Sequence, residues 1–501
     1  MLANDIKSLR PNAEMLNWCT SVANSRMVVL EDGTILSDSA TNPNLQNCRL
    51  LMKSLNLEIR QIINYDVVFI KNMIDSYQSS IEGKSLYQFT DAQQKIRKIV
   101  QDAIAEKATD IHILIRDATA IIKFRVLGDL QVYTTMSAND AIAIVSVAFN
   151  RESDHVQKQF SINQIIDAAM VLQIGRQEVR LRLASVPTYP GGKGCDIVMR
   201  VLPLRSQAKP IQLEQLGYHQ AQLEEFKHVI RKTSGAIFLA GPTGSGKSTT
   251  MASLISLLPK NKKIYTAEDP VENLIDGVTQ VPVNHEVDYM SFANIVRQFL
   301  RLDPDIISIG EIRDSDTAFM ALRAAITGHL VISTVHANSA TNIIVRLLDL
   351  GLSATTLSDP DFLNMLGFQR LIKLLCPHCK VPFSEVNHYT KERERMLQIF
   401  GSTDMEKLFV NGNNLGESYH CEYCKNRGTK GLTIVAETLL VDDLVREHIA
   451  DNQLNRLPSI LRAKTGFMTC HQSAAIHILQ GNADPFEVES ILGPFEIETQ
   501  F

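Results

Sequence analysis

The stretch GAIFLAGPTGSGKSTT, residues 235–250, decides the fold. Ala236–Ala240 is an uninterrupted apolar run of strand length, and Lys247–Leu258 reads as a helix stopped at Pro259. Between them GPTGSGKS, 241–248, fits the phosphate-loop pattern. Glycines keep side chains out of the way, so consecutive backbone N–H groups can point inward at phosphate oxygens. The helix start adds a field that favours negative charge. Gly241, Pro242, Thr243, Gly244, Ser245, Gly246, Lys247, Ser248 and Thr249 form the expected nucleotide-binding set. Lys247 would reach the β- and γ-phosphates, and the Ser248 hydroxyl would sit on Mg²⁺.

Outward from this loop, apolar strand candidates recur at Lys263–Ala267, Ile306–Ile309 and Leu330–Thr334, separated by helical stretches. That alternation predicts a mainly parallel sheet with helices on both faces. In such sheets ligands bind beyond the carboxyl ends of the strands. Two acidic clusters sit there: Glu268-Asp-Pro-Val-Glu272 and Gly310-Glu-Ile-Arg-Asp314. Phosphoryl transfer to water needs one acid near Mg²⁺ and another to orient and deprotonate the water. His329 and His336 bracket Leu330–Thr334, and His336, at the carboxyl end, is the better placed to sense a γ-phosphate or a neighbouring subunit.

Cys376-Pro-His-Cys379 and Cys421-Glu-Tyr-Cys424 form two CxxC pairs. Together they offer four thiolates with the tetrahedral preference of structural Zn²⁺. His378 is a possible substitute ligand, and free or redox-active thiols are the alternative. The long spacer requires structure of its own. Cys19, Cys48, Cys195 and Cys470 are scattered and expected to be unligated.

At 501 residues about three domains are expected. Residues 1–90 carry no chemical motif and read as a small α/β interaction or adaptor domain. From Thr90–Asp91, Ile96, Ile99, Val100, Ala103 and Ile104 mark one helix face. Asp110–Leu114, Ile121–Val126, Val179–Leu183 and Asp196–Val201 alternate like strands, with a turn at Pro190–Gly194 and helix around 137–150. Residues 91–204 are thus an α/β half-domain, 205–215 a linker, and 216–501 the nucleotide-binding core. The core includes a cysteine-bounded insertion, 376–435, and a helical C-terminal tail. A net charge of −5 gives no global basic field that would argue for nucleic acid. The N-terminus lacks an apolar signal-peptide core, and no apolar run has the length of a membrane span, so a cytoplasmic protein is expected.

These motifs together resemble the secretion ATPase superfamily, in its branch that powers type II secretion and type IV pilus assembly. GPTGSGKSTT at 241–250 is similar to its Walker A motif and TAEDPVE at 266–272 to its Asp box. LRLDPDIISIGEIRDSDTA at 300–318 resembles the Walker B region, and TGHLVISTVHAN at 327–338 the His box. The resemblance implies a RecA-like P-loop core preceded by a PAS-like half-domain. It implies ATP as substrate, Glu272 as the residue that activates water, Glu311 holding Mg²⁺ through water, and His329 and His336 as His-box residues. It also implies arginines of the half-domain reaching the nucleotide, with Arg125 first and Arg180 and Arg200 behind it.

Three positions depart from the family pattern. Leu127-Gly128-Asp129 replaces the usual Asp-Gly order, Lys123 stands where Arg is frequent, and Leu432 replaces an Arg near the second cysteine pair. The last suggests a divergent branch, such as the type IVb or conjugative thin-pilus group. The cysteine pairs favour assembly and type II secretion motors over retraction motors. The resemblance therefore implies a hexameric ATPase that works through an inner-membrane platform protein to assemble a type IV pilus, with type II secretion as the alternative. A DNA translocase and a nucleotide-gated scaffold without hydrolysis are the readings from other classes. DNA-stimulated turnover would mark the first, and binding without turnover the second.

Overall fold

The computed structural model describes residues 11–21, 26–39, 41–67, 69–71, 73–74, 91–150, 160–175, 177–189, 192–204, 210–284, 287–386, 390–401, 405–415, 420–464 and 466–496. The expected linker (in 205–209), the turn at Pro190–Gly194 (in 190–191) and the domain boundary at residue 90 lie in part outside them. The chain divides into two compact units, 1–94 and 95–501.

In the first unit, strands β1 (Met27–Val29), β2 (Thr34–Ser37) and β3 (Gln61–Asn64) form one sheet, β1 antiparallel and β3 parallel to β2. Helices α1 (Ala13–Ser21) and α2 (Leu45–Ser54) belong to the same unit. Met15, Cys19, Val28, Leu36, Cys48 and Met52 form its core, so two of the scattered cysteines are packing residues.

Helix α3 (Asp91–Ala105) lies mostly in the second unit, and its Ile96, Ile99, Val100 and Ala103 are buried as the periodicity requires. A six-stranded antiparallel sheet follows, ordered β6-β5-β4-β9-β8-β7. Its strands are β4 (Asp110–Arg116), β5 (Thr119–Val126), β6 (Asp129–Ser137), β7 (Ile166–Ile174), β8 (Gln177–Thr188) and β9 (Gly194–Leu204). Helix α4 (Ala138–Asn150) packs on β4–β7. Tyr133 donates to Asp102 and Arg97 to the Gln173 carbonyl, tying α3 to β6 and β7.

The second sheet has seven strands in the order β12-β11-β13-β14-β10-β15-β18. They are β10 (Gly235–Ala240), β11 (Ile264–Glu268), β12 (Val278–Pro282), β13 (Ile306–Ile312), β14 (Leu330–Val335), β15 (Leu363–Leu375) and β18 (Thr429–Leu440). All but β18 run parallel. Every residue of β10 is buried, because helices cover both faces. Ala236, Phe238 and Ala240 point to one core, shared with α7 (Phe292–Phe299), α8 (Ser315–Ile326), α9 (Asn342–Asp349) and the short α10 (Ala354–Leu357). Ile237 and Leu239 point to the other, shared with α5 (Gln220–Val229) and α6 (Lys247–Ser256). A one-residue slip of β10 would exchange the two sets, so both cores fix its register.

β15 and β18 were not foreseen as strands. They form a long antiparallel pair, and the cysteine-bounded insertion is an excursion between them. β18 starts at Thr429, inside the range expected for the insertion. The excursion carries α11 (Thr390–Phe400) and the short pair β16 (Val381–Pro382) and β17 (Phe409–Val410). Its core residues Phe383, Met396, Leu408 and Val410 pack with Ala474, Ile478 and Val488 of the C-terminal helices. Those helices are α12 (Asp443–Ala450), α13 (Leu457–Ala463), α14 (Cys470–Leu479) and α15 (Pro485–Leu492). Among the described residues no helix is long and apolar enough to cross a membrane.

Candidate functional site

The carboxyl ends of β10, β11, β13 and β14 lie side by side. β10 runs straight into the glycine-rich loop. A Cβ on Gly241 would stand 2.4 Å from the Gln369 carbonyl oxygen and 2.5 Å from Ser245 Oγ, so only glycine fits. Gly246 takes a left-handed φ of 87° as it caps α6, a conformation that favours glycine. The loop is braced from the side. Gln369 of β15 donates to the Ser245 carbonyl at 2.7 Å and accepts from the buried Tyr218 hydroxyl at 2.7 Å. Tyr218 also lies 3.0 Å from Thr250 Oγ1 of α6.

Lys247 Nζ donates to the Gly241 and Pro242 carbonyls at 2.7 and 3.0 Å. Burial holds its ammonium below the ordinary lysine value, and the Glu311 carboxylate works against that shift. Glu311 owes its position to a bulge. Ile309 pairs with Ser333 and Ile312 with Val335, so β13 has one residue more than β14 between these pairs. The Thr334 hydroxyl donates to the Gly310 carbonyl at 2.7 Å and pins the bulge. Glu311 Oε2 then receives Arg313 at 2.8 Å, and Oε1 lies 2.7 Å from His336 Nε2 without the alignment of a hydrogen bond.

Glu272 follows β11. Burial pushes its carboxyl above the usual range, the Ser248 hydroxyl bonds to it and pulls the other way, and the Glu268 charge adds to the rise. The Arg200 and Arg182 charges oppose the rise. Glu268 itself accepts from Thr266 at 2.5 Å and Gln280 at 2.8 Å.

The arginines reach this loop from the antiparallel sheet. Arg125, Asp110, Arg200 and Arg182 face one another across β5, β4, β9 and β8 in a single rung. Residues of one rung share a face of the sheet. Arg200 bonds Asp110 at 3.1 Å and Arg182 bonds Asp269 at 2.9 Å. Arg125, the first choice from sequence, is the member farthest along the rung from Arg182. Its guanidinium donates to the Gly128 carbonyl at 2.8 Å. Arg182 was missed, because its place depends on strand pairing between residues far apart in sequence. Gln369 and Tyr218 were missed for the same reason.

His329 is not gathered with the others. It stands at the amino end of β14, where its Nδ1 lies 2.9 Å from the Ala324 carbonyl.

The four cysteines form a separate centre. Their sulfurs all lie within 4.8 Å of one another, with Cys376–Cys421 at 4.0 Å and Cys379–Cys424 at 3.6 Å. Zn–S bonds of about 2.3 Å in a tetrahedron imply sulfur separations of about 3.8 Å, so the set fits a structural zinc ion. The Gly428 N–H donates to Cys424 Sγ at 3.2 Å. Cys470 and Cys195 are buried elsewhere.

Residues 88–490 match the family model described as type II/IV secretion system protein. The chain is 36% identical over 392 residues to the type IV pilus assembly ATPase PilB of Thermus thermophilus, covering 78% of this chain and 42% of that relative. It is 38% identical over 356 residues to the type II secretion system ATPase E of Vibrio cholerae, covering 71% of this chain and 66% of that relative. The chain thus spans less than two thirds of the length of either. Among solved structures, the pilus retraction motor PilT with bound ADP superposes with a TM-score of 0.52 at 25% identity, over 79% of this chain and 96% of that one. The Legionella pneumophila ATPase DotB has a similar fold, with a TM-score of 0.58 at 20% identity over 81% and 97% of the two chains.

Gln369→Leu should lower the unfolding free energy by about 1–3 kcal/mol for each buried group left unpaired. It should also weaken binding of a fluorescent ATP analogue, and urea unfolding beside a binding titration would check both. Purified protein should hold about one zinc ion per chain by elemental analysis, and Cys421→Ser should lose it. The same variant should open 383–410 to limited proteolysis, since metal binding and local folding are coupled.

Proposed function

The chain belongs to the type II/IV secretion system protein family, and from that premise we propose that it is a cytoplasmic motor that hydrolyses ATP to drive assembly of a type IV pilus. The observation that carries this reading is the meeting of Lys247, Ser248, Glu272, Glu311 and His336 around one glycine-rich loop. The loop amides and the α6 start bind the phosphates, and Lys247 leaves its loop carbonyls to meet them. Ser248 directly, and Glu311 through water, would hold Mg²⁺, which would offset charge on the phosphates. Glu272 takes a proton from the attacking water. The water oxygen bonds to the γ-phosphorus, the bond from that phosphorus to the β-phosphate bridging oxygen breaks, and ADP leaves with the electron pair. Arg182 and Arg200 favour the ionised form of Glu272 and offset charge that develops on the phosphoryl group. Arg125 and His329 have roles outside this group, Arg125 as a more distant cation and His329 as a turn residue. The four cysteines hold a structural zinc ion.

The work unit is a ring of copies, a hexamer, which passes the stroke to an inner-membrane platform protein. Residues 1–90 serve as its adaptor, 91–204 as the moving half-domain and 216–501 as the ATPase core. A type II secretion ATPase is the second reading, favoured by the comparable identity to the Vibrio cholerae relative. A deletion strain that loses pili but still exports its enzymes supports the first reading, and the reverse supports the second.

Steady-state hydrolysis by the full chain tests the motor. Glu272→Gln should keep ATP binding and lose about 10²-fold or more in kcat. An assembled wild-type chain that binds ATP yet turns over no faster than this variant would sink the reading in favour of a scaffold.

A pH profile tests the roles of the arginines. Glu272 acts as base only when ionised, and its carboxyl titrates above the usual range. Activity should therefore fall on acidification at a higher pH than an ordinary glutamate would give. Arg182→Gln removes a charge that favours the ionised form, so the acid limb should move to still higher pH. An unmoved limb would remove Arg182 from the site.

A further inference from the structure

We infer that Glu437 is a positioning residue for hydrolysis, which holds the segment after β14 so that His336 stays against Glu311. The inference rests on the hydrolytic reading above. Glu437 lies on β18 opposite Phe368, level with the loop end of the sheet, and is largely enclosed. Its Oε2 accepts the Ala340 N–H at 3.0 Å. The carboxylate also accepts the Cys470 N–H, and the Arg462 charge favours its ionised form.

Both N–H groups lie at helix starts. Ala340 is two residues before α9, and Cys470 is the first residue of α14. A carboxylate set between two helix N-termini receives two charge-assisted hydrogen bonds and two favourable dipoles. Enclosing a charge is costly, and burial pushes this carboxyl up. Packing of β18 alone would be served by an apolar side chain, so what distinguishes the acid is the pair of N–H groups it holds.

What it holds is short. β14 fixes Val335 and Glu437 fixes Ala340, and the four residues between, His336 to Ser339, carry the imidazole to Glu311. Ser339 adds a local turn by accepting the Asn342 N–H at 3.1 Å. Without the carboxylate the segment loses its far anchor. Through Cys470 the same group ties this segment to α14, which packs on β15 and β18.

Glu437→Gln keeps the shape but turns an amide NH₂ toward one of two N–H donors. Hydrogen exchange of the full chain should speed up by about 10-fold or more at 336–341, while β10 and β14 stay protected. In steady-state hydrolysis kcat should fall about 10- to 100-fold with KM within about threefold. In a His336→Ala background the added cost of Glu437→Gln should shrink to less than about threefold, because the residue acts through His336. Unchanged exchange at 336–341, loosening of the whole sheet, or an equal cost in both backgrounds would each overturn the inference. Failure of the hydrolytic reading would show separately, as a wild-type chain without turnover, and the exchange measurement does not depend on turnover.

Discussion

Burial of β10 on both faces is the constraint on which the rest depends. A strand with no solvent face must be apolar throughout, and all its backbone groups must pair. It gains its partners from β14 on one side and β15 on the other. At its carboxyl end the chain leaves the sheet and must turn at once into α6. Glycine at 241 is required there because Gln369 and Ser245 leave no room for a Cβ. The phosphate-sized loop is therefore what remains when a buried strand, a neighbouring strand and a helix start are packed this tightly. Gln369 then serves both sides, since β15 carries it and the loop carbonyl is its acceptor.

Charge is the second problem, because the strand ends crowd acids around Lys247. Each acid has a different solution. Glu268 accepts hydrogen bonds from neutral donors, Thr266 and Gln280. Glu311 takes Arg313 and His336. Glu437 uses helix starts. Glu272, like Glu437, has its carboxyl pushed up by burial, and the charges that favour its ionised form come from Arg200 and Arg182 of the antiparallel sheet. That is the arrangement expected of a group that must accept a proton, since a fully paired carboxylate would be too weak a base.

The parallel core was legible in the sequence because its strands are apolar runs and its loop is a dense motif. Ile306–Ile309 and Leu330–Thr334 needed only their hydrophobicity to be found, and the acids were found as the residues that follow such runs. β15 and β18 were not legible. β15 mixes Asn364, Gln369, Arg370 and Lys373 among apolar residues without alternating, and β18 follows directly on the second cysteine pair. The rung of arginines was hidden for a stricter reason. Arg125, Asp110, Arg200 and Arg182 come from four strands, and only the pairing register brings them into line. The alternation of β8 marked which residues share a face, and could have put Arg182 beside Arg180, but it could not name the rung.

The register also explains how two sheets of opposite design share a centre. A parallel sheet collects its chemistry at strand ends, where loops leave it. An antiparallel sheet with helices on one side keeps its other face available, and there a rung of long cations can extend sideways. Arg182 meeting Asp269 joins the two designs at one point. The other ion pairs between the half-domain and the core, Glu106 with Lys425 and Arg427 and Lys373 with Asp129, stand away from that point. Lys425 and Asp129 are well exposed, so the attraction in their pairs is screened and individually weak. Arg182 differs in facing an acid that is mostly covered, with side-chain exposure of 13%. That contact lies beside Glu272, whose carboxyl also feels the Arg182 charge, so the state of that carboxyl and the seating of the half-domain are parts of one electrostatic balance.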